Sequence, residues 1–353
     1  MGIYLLGQPM TLRGLCVITA ALYLVAPGLV ASESAPDTVA AARASQALME
    51  ALRLDTPTIK EVTDLLADED FIGFEHRIQR YEREFASNPL SESPLYKLYS
   101  VIDGGNAGIQ KSLDKWVKTR PSYISFAARG TYETNLGYRQ RGTRNIESTS
   151  PEVIAQMEAT MAAARDDLER ALALNPKFVP AYIALLQVAQ AVAGPDAATA
   201  IERRATREVP DTYYVRQMYL RTLRPRWGGS YEAMQAYEGK LDDAAKLNPR
   251  IWSLKGESWG ERGYTAQADG DTAGAIRYYT RALLYGDRLE FLKARGTQYF
   301  AARQYDLALK DFNRYREYYA RDDQIDRYAE CSEALRNGRP CAVNPLIPSA
   351  EAR

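Results

Sequence analysis

Histidine and cysteine are scarce in this sequence, which has one His, His76, and three Cys among its 353 residues. A Ser/His/Asp relay would depend on His76 alone, and zinc sites built from two or more histidines are excluded. Positive charge is not in excess either: 45 Lys+Arg face 45 Asp+Glu, whereas a nucleic-acid-binding surface needs surplus Lys and Arg. The composition argues against an enzyme and a nucleic-acid partner, and it points to no metal and no cofactor.

The N-terminal segment is typical of an export signal. Arg13 is its only charged residue and precedes an apolar run from Leu15 to Val25, which has the length of a signal-peptide core and is short for a membrane span. We expect residues 1–31 to be a signal peptide cleaved after Ala31 or one residue later, with Met10 as an alternative start. This predicts a periplasmic or secreted protein with no integral membrane domain, and an uncleaved anchor is the alternative.

Removal of the signal peptide takes Cys16 with it and leaves an even pair, Cys331 and Cys341. Closely spaced cysteines are readily joined in an oxidising compartment. The pair offers too few ligands for a metal, and its spacing is not that of a CxxC redox motif. We expect a disulfide that holds the C-terminal tail to the last helix and stabilises the fold by about 2 to 3 kcal/mol.

Apolar residues recur at helical spacing from about residue 38 to residue 335, without the alternation of a half-buried strand. The fold class is therefore predicted to be all-α. Thr149 and Ser150 precede Pro151 as capping hydroxyls and so predict a helix start. Earlier helices are expected at about 71–87, 93–102, 107–118 and 122–137, before an exposed basic loop at 139–148.

The sequence also repeats itself at a fixed period. Ala164, Ala171 and Pro176 recur 34 residues later as Ala198, Ala205 and Pro210. Gly263 and Ala275 recur 33 residues later as Gly296 and Ala308. Such periods are typical of stacked helix pairs, in which small residues let the two helices approach and large residues fill the gaps between pairs.

This pattern resembles the tetratricopeptide (TPR) repeat over residues 151–320, with Trp259 and Gly263 on a first helix and Ala275, Tyr279 and Ala282 on its partner. The resemblance implies an all-α, TPR-like solenoid. A less regular helical region, 32–150, precedes it, and a C-terminal helix with a disulfide-pinned tail, 321–353, follows. The whole arrangement also resembles an exported bacterial family of unknown function, which implies no activity.

A four-residue sequence links the two regions. Residues 128–131, Ala-Arg-Gly-Thr, recur unchanged as residues 294–297. The separation equals about five repeat lengths. The match indicates that the N-terminal region contains diverged copies of the same repeat.

The segment Leu223–Ser230 is a candidate binding loop, because it lengthens the repeat and carries Arg224, Arg226 and Trp227 before two glycines, with Tyr231 following. Arginine binds carboxylates or phosphates, tryptophan anchors apolar groups, and loops on rigid scaffolds often carry function. In the alternative interpretation, the tryptophan packs under the loop and both arginines pair with nearby acids.

The TPR resemblance further implies a concave groove lined by the first helix of each pair. By that register the candidate binding residues are Glu257, Glu261, Tyr264, Gln267 and Lys293, and Gln187 and Gln190 lie in the preceding part of the groove. The Lys/Asn/Arg clamp with which some TPR domains hold a peptide carboxylate is absent from this sequence, so that ligand class is not expected.

Three other signals have structural explanations. Gly256–Gly260 matches the G-x-S-x-G nucleophile elbow, but the elbow needs a preceding strand and a later His. His76 lies on a charged helix without metal-binding companions and is expected to face solvent or to be hydrogen-bonded. The acidic run Asp68–Asp70 directly precedes a helix and is expected to cap it.

These patterns predict a non-catalytic protein- or peptide-binding repeat scaffold of the bacterial cell envelope. One alternative is an envelope enzyme or enzyme subunit that acts on glycan or peptidoglycan through groove carboxylates such as Glu257 and Glu261, since glycoside cleavage needs two carboxylates at a fixed separation. Another is a structural spacer within a larger assembly.

Overall fold

The computed structural model describes residues 37–54, 56–102, 104–142, 149–319 and 322–341. Within these ranges the chain is predominantly helical and contains no β-strand, so the predicted all-α class is confirmed. None of the helices in these ranges is long and apolar enough to cross a membrane. The predicted signal peptide, 1–31, lies outside the described residues.

The helices follow one another with short connections. Short 3-10 turns occupy Pro89–Ser91, Pro225–Trp227 and Pro249–Gly256, and a π-helical turn at Ala189–Ala193 joins two α-helices. In chain order the α-helices are α1 (Thr38–Leu52), α2 (Ile59–Ala67), α3 (Phe71–Ser87), α4 (Glu92–Ser100), α5 (Ala107–Thr119), α6 (Tyr123–Arg141), α7 (Pro151–Leu174), α8 (Val179–Val188), α9 (Gly194–Glu208), α10 (Tyr213–Thr222), α11 (Tyr231–Glu238), α12 (Asp242–Leu247), α13 (Glu257–Ala268), α14 (Thr272–Leu283), α15 (Leu289–Ala301), α16 (Tyr305–Tyr318) and α17 (Asp323–Arg336).

Capping residues fix several of the predicted helix starts. The Asp70 carboxylate accepts a hydrogen bond from the Gly73 N–H at 2.9 Å, and the Ser150 hydroxyl caps α7 directly before Pro151. The basic stretch after α6 departs from expectation, because the helix continues through Arg141 before Gly142 ends it at φ 68°. Basic side chains in a last turn face the negative end of a helix, which favours this extension. Residues 143–148 of the predicted loop lie outside the described ranges.

Neighbouring helices pack in pairs, as the repeat predicts. α13 packs on α14 and α15 packs on α16. A Cβ atom on Gly263 would lie 2.7 Å from the Tyr279 ring, and one on Gly296 would lie 2.6 Å from the Phe312 ring. A side chain at either glycine would push the two helices apart, so these positions let a first helix lie directly against the aromatic residue of its partner.

The repeated Ala-Arg-Gly-Thr sequence occupies equivalent places in two helix pairs. In the pair formed by α6 and α7, Arg129 binds both carboxylate oxygens of Asp167, at 2.5 and 3.0 Å. In the pair formed by α15 and α16, Arg295 binds both oxygens of Asp311, at 2.8 and 2.7 Å. Each pair thus has the same two-point arginine–aspartate contact beside its packing glycine, and the paired helices extend upstream of Pro151.

Helix α4 lies against three first helices, α6, α8 and α10. At its N-terminus the buried carboxylate of Glu92 accepts hydrogen bonds from the N–H groups of Tyr213 at 2.7 Å and Tyr214 at 3.2 Å. Leu95 and Leu98 are buried further along the same helix. The N-terminal region therefore covers part of the first-helix face that sequence reasoning expects to be an open groove.

Helix α1 contacts distant parts of the chain. Ala44, Ala47 and Ala51 are buried on one side of it, and α1 packs on the Pro249–Gly256 turn. The Ser45 hydroxyl accepts a hydrogen bond from the Asp287 N–H at 2.9 Å. The first described helix thus stabilises the C-terminal helix pairs.

The C-terminal helix closes the array. α17 packs on α16, and a disulfide joins its Cys331 to Cys341 of the tail, with 4.8 Å between the two Cα atoms. The predicted disulfide is therefore present. Tyr315, which stands where a repeat normally has a small residue, is buried and its hydroxyl donates to Asp322 at 3.1 Å.

Candidate functional site

The candidate loop Leu223–Ser230 is a tight turn. Pro225–Trp227 forms one turn of 3-10 helix, and Gly228 follows in the left-handed region at φ 84°. A Cβ atom on Gly229 would lie 2.1 Å from the carbonyl oxygen of Leu223. The backbone path therefore requires both glycines. From the sequence alone, two adjacent glycines could also have formed a flexible loop, but here they belong to a tight turn.

Both loop arginines are engaged by buried acids. Arg224 lies 3.2 Å from Glu257 and 3.3 Å from Glu261, and Arg226 lies 2.9 Å from Glu261. Glu257 is 1% exposed and Glu261 is 4% exposed, so neither lines an open groove. The distances match the alternative interpretation of the loop, in which its arginines pair with nearby acids.

Arg288 completes this ion-pair cluster from the next helix pair. Its guanidinium lies 2.5 Å from Glu257 and also binds Glu290. Burial opposes the charged form of Arg288, yet the charges of Glu257 and Glu290 outweigh it and hold the pKa of that guanidinium well above its ordinary value. Its fixed positive charge compensates the buried carboxylate of Glu257, which would otherwise be strongly destabilising.

The other predicted binding residues lie nearer the surface. Tyr264 is 51% exposed and Arg226 lies 4.2 Å above its ring, while Gln267 is exposed and accepts a hydrogen bond from Tyr279. Lys293 pairs with Asp322 at 3.3 Å.

The two aromatic residues of the loop region are packed against arginines. Trp227 is half-buried under the guanidinium of Arg141, at 5.4 Å. Tyr231 stacks with Arg262 at 3.9 Å. Their part in binding remains a prediction.

The G-x-S-x-G match is structural. Ser258 stands in the first turn of α13, where its N–H and hydroxyl donate to Glu238 at 2.6 and 2.8 Å. Burial raises the pKa of the Glu238 carboxyl to about 8. No strand precedes this turn in the described chain, and His76 lies exposed on α3, as expected, so the segment has none of the partners of a nucleophile elbow.

A cleft of about 300 Å³ lies beside α4 and is lined by tyrosines. Tyr96 stacks on Tyr214 with 3.9 Å between ring centroids, and Tyr319 is 49% exposed. The ammonium group of Lys97 lies at the exposed rim. We call this surface the tyrosine cleft: Tyr96, Lys97, Tyr214, Tyr318 and Tyr319.

A smaller cavity of about 120 Å³ lies between α4, α6 and α8 and is also lined by Tyr96. None of the residues that line it is charged. Burial raises the pKa of the Tyr96 hydroxyl, which therefore stays protonated at neutral pH. We call this space the polar cavity, and its hydrogen-bonding side chains are Tyr96, Tyr99, Ser100, Thr131, Asn135 and Gln187.

A third opening, of about 580 Å³, lies where the turns after α3, α7 and α9 meet. Glu82 faces it, but its carboxylate already accepts hydrogen bonds from Tyr123 at 2.6 Å and Asn175 at 3.0 Å. Burial raises the pKa of Glu82. The carboxylate of Glu82 is thus satisfied within the protein.

Of the groove residues expected from the register, only Gln187 lines the polar cavity. Gln190 is occupied, since its amide donates to the carbonyl of Arg221 at 3.3 Å. Sequence reasoning missed Tyr96 and Asn135, because both face a cavity that exists only when α4 lies on α6 and α8. Thr131 belongs to the repeated Ala-Arg-Gly-Thr sequence, so a signal marked its position without indicating its role.

The described ranges hold no group of three or more His, Cys, Asp or Glu side chains placed to bind a metal ion. The repeated helix pairs, with a packing glycine on each first helix and an aromatic on its partner, define a TPR-like α-helical repeat protein.

No family model matches the sequence, and no curated protein matches it. The resemblance to an exported bacterial family therefore stays a prediction. Among solved structures, the chain is similar to a thermophilic TPR protein of Thermus thermophilus, at 22% identity and a TM-score of 0.29 over 50% of this chain and 94% of that one. Because this TM-score is low, the helix-pair assignment rests on the internal contacts above.

Proposed function

We propose that this protein is a non-catalytic scaffold of the bacterial cell envelope that binds a segment of a partner protein along the tyrosine cleft. The observation that carries the proposal is the cleft formed by the half-buried Tyr96 and Tyr214 and the exposed Tyr319 on a rigid helical framework. Tyrosine is enriched at protein interfaces because its ring buries a large area while its hydroxyl keeps a hydrogen bond.

Hydrogen-bonding capacity in the cleft favours a polypeptide. The hydroxyls of Tyr96 and Tyr319 make no hydrogen bond within the described residues, and Lys97 adds an ammonium donor at the rim. These donors match the carbonyl groups of an extended peptide backbone. The apolar side chains of Ala51 and Leu52 form the opposite wall.

The carboxylates required by the glycan-cleaving alternative are poorly suited to it. Glu257 and Glu261 are almost fully buried and are held by Arg224, Arg226 and Arg288. A general acid or nucleophile must reach its substrate. We therefore propose binding, and we assign these acids to the framework that holds the loop in place.

The exposed pair of Arg226 and Tyr264 is a second proposed contact for the same partner. The arginine lies over the ring at 4.2 Å, which leaves an amphipathic surface of the kind enriched at interfaces. Tyr264→Ala removes it with little cost to stability, because that side chain is 51% exposed. Unchanged affinity in this variant would remove the pair from the interface.

Site-specific photo-crosslinking in living bacteria tests the binding site. We would place p-benzoylphenylalanine at Lys97, in the tyrosine cleft, or at Lys118, an exposed lysine of α5, as the matched control. We expect one protein partner to be crosslinked from Lys97 and not from Lys118, and Tyr96→Ala to weaken binding of the purified partner at least tenfold. Equal crosslinking from both positions, or crosslinking to polysaccharide, would contradict the proposal.

Cell fractionation and N-terminal mass analysis test the proposed location. We expect the protein in the periplasmic or extracellular fraction, with a new N-terminus at Ser32 or Glu33 and the Cys331–Cys341 disulfide formed. Retention in the cytoplasm with an intact N-terminus would contradict export. It would not affect the test of the binding site by crosslinking.

A further inference from the structure

One residue that lines the polar cavity, Thr131, has a hydroxyl without a partner. Thr131 is 5% exposed, and its hydroxyl makes no hydrogen bond to any described residue. A buried polar group left unsatisfied costs about 1 to 3 kcal/mol, so one that persists in a folded protein calls for an explanation.

The neighbouring threonine on α6 shows the usual solution. Thr134 is fully buried, and its hydroxyl donates to the carbonyl oxygen of Gly130 at 2.8 Å. Helical threonines commonly satisfy themselves in this way. Thr131 differs because its side chain lines the polar cavity while its hydroxyl is held by no hydrogen bond. Helical threonines adopt two χ1 rotamers, so rotation of this side chain can turn the hydroxyl into the cavity.

The amide groups of the cavity add further hydrogen-bonding capacity. The Asn135 amide nitrogen donates to the carbonyl of Ile102 at 2.6 Å, whereas its side-chain oxygen makes no hydrogen bond within the described residues. The Gln187 side chain likewise has no partner there, although its backbone carbonyl accepts from Tyr138 at 2.8 Å. The walls therefore present both donors and acceptors.

Charge and size narrow the class of ligand. A charged group entering the polar cavity would lose its hydration without meeting an opposite charge, which is strongly unfavourable. Cavities of about 150 Å³ hold a benzene-sized molecule, so 120 Å³ has room for a side chain of four or five heavy atoms. A side-chain amide has this size, is uncharged, and both donates and accepts.

We propose that the polar cavity is a specificity pocket for an uncharged side-chain amide, asparagine or glutamine, of the peptide segment bound in the tyrosine cleft. Tyr96 lines both spaces, so a peptide bound beside this residue in the tyrosine cleft can insert a side chain into the polar cavity. The inference rests on the proposed peptide-binding function and adds its sequence preference.

Small model compounds test the pocket on the full-length protein. The probes are N-acetylglutamine methylamide, its glutamate and leucine counterparts, and N-acetylglucosamine, each followed by NMR through the methyl groups of Ile183 and Ala184, which line the cavity. We expect saturable shifts with the glutamine probe and at least tenfold weaker binding of the other three. No saturable shift with glutamine, equal binding of glutamate, or preferred binding of the sugar would overturn the inference.

Two variants on α6 separate ligand contact from structure. Thr131→Val replaces the unpartnered hydroxyl with a methyl group, so we expect an unchanged or raised melting temperature and at least fivefold weaker binding of the glutamine probe. Thr134→Val, the matched control, breaks the hydrogen bond to Gly130, so the melting temperature should fall while the glutamine preference remains. Loss of stability in Thr131→Val with unchanged probe binding would assign that hydroxyl to the fold.

The two sets of experiments fail independently. If the Lys97 crosslink identifies a partner but the glutamine probe does not bind, the binding function stands and the amide preference is wrong. If the probe binds and no partner is crosslinked, the pocket exists without the proposed scaffold function.

Discussion

The carboxylate of Glu92 lies 2.7 Å from the backbone nitrogen of Tyr213, which is 121 residues further along the chain. It also accepts a hydrogen bond from the Thr212 hydroxyl at 2.5 Å, so one side chain on α4 caps the start of α10. Helix caps normally come from the residue just before the helix. Here the cap joins the N-terminal region to the repeats.

Loss of this cap should be costly. Glu92→Ala leaves buried donors at the start of α10 without an acceptor, and we expect the free energy of unfolding in urea to fall by about 2 to 4 kcal/mol. Glu92→Gln keeps an acceptor oxygen and should cost less than half as much. Glu84→Ala, on an exposed surface, is the control, and a Glu92→Ala effect as small as its effect would contradict the capping role.

Stability should fall as the pH rises from about 4.5 to 8. Burial raises the pKa of Glu92 and Glu133 to about 7 and that of Glu238 to about 8, from an ordinary value of 4.5. The folded protein then binds more protons than the unfolded chain in this pH range. The contribution of these protonated carboxyls to the free energy of unfolding is therefore complete below pH 4.5, the unfolded pKa, and is lost as the pH rises through the folded pKa of about 7 to 8. Urea unfolding at several pH values measures this slope.

The variant Glu238→Gln isolates one of these groups. Glutamine retains an acceptor for the Ser258 N–H and a donor for its hydroxyl, so the fold should persist. We expect a shallower decline in the free energy of unfolding between pH 5 and pH 8 than in the unmodified protein. Identical slopes for the two proteins would show that Glu238 is ionised throughout this range.

The buried pair of Arg288 and Glu257 should show strong coupling. Arg288→Met leaves Glu257 with only Arg224 as a partner, and we expect a loss of about 3 to 5 kcal/mol, because one charge of a buried pair is left uncompensated. The double variant with Glu257→Met should regain most of this loss. A double-mutant cycle, measured by chemical unfolding, gives the coupling energy between the two side chains. Arg336→Met, at an exposed ion pair, is the control. Additive effects of the two single variants would contradict the coupling.

The turn at Gly229 should not tolerate a side chain. Gly229→Ala places a Cβ atom 2.1 Å from the Leu223 carbonyl, and we expect a loss of about 1 to 3 kcal/mol from the forced rearrangement. Gly239→Ala is the matched control, because its nearest atom lies 3.5 Å away and its φ is −64°. That change should be neutral or stabilising by up to about 1 kcal/mol. Equal melting temperatures for the two variants would contradict the tight-turn assignment.

Local signals predicted the helices well. The expected helix at 71–87 coincides with α3, Phe71–Ser87, because its apolar spacing and the capping Asp70 act within a few residues. The glycines Gly263 and Gly296 predicted close helix pairs for the same reason, since the repeat places each one against a residue of the next helix.

The candidate site was harder to predict, because it depends on contacts between distant segments. Glu257 and Glu261 have the spacing of groove residues, but the loop Leu223–Ser230 lies against them and supplies Arg224 and Arg226 as partners. α4 was expected near its observed position in the sequence, whereas its packing on α6, α8 and α10 has no local signal. The tyrosine cleft and the polar cavity both arise from that packing.

Helix α1 gives the order of synthesis a physical consequence. Its Ser45 accepts a hydrogen bond from Asp287, a residue 242 positions later. The helix must therefore wait for a much later helix pair to be synthesised before it can dock fully. Contacts of such long sequence separation slow folding. During that wait the buried face of α1, with Ala44 and Ala47, is exposed, and a chain folding during export would need protection there until its C-terminal helices arrive.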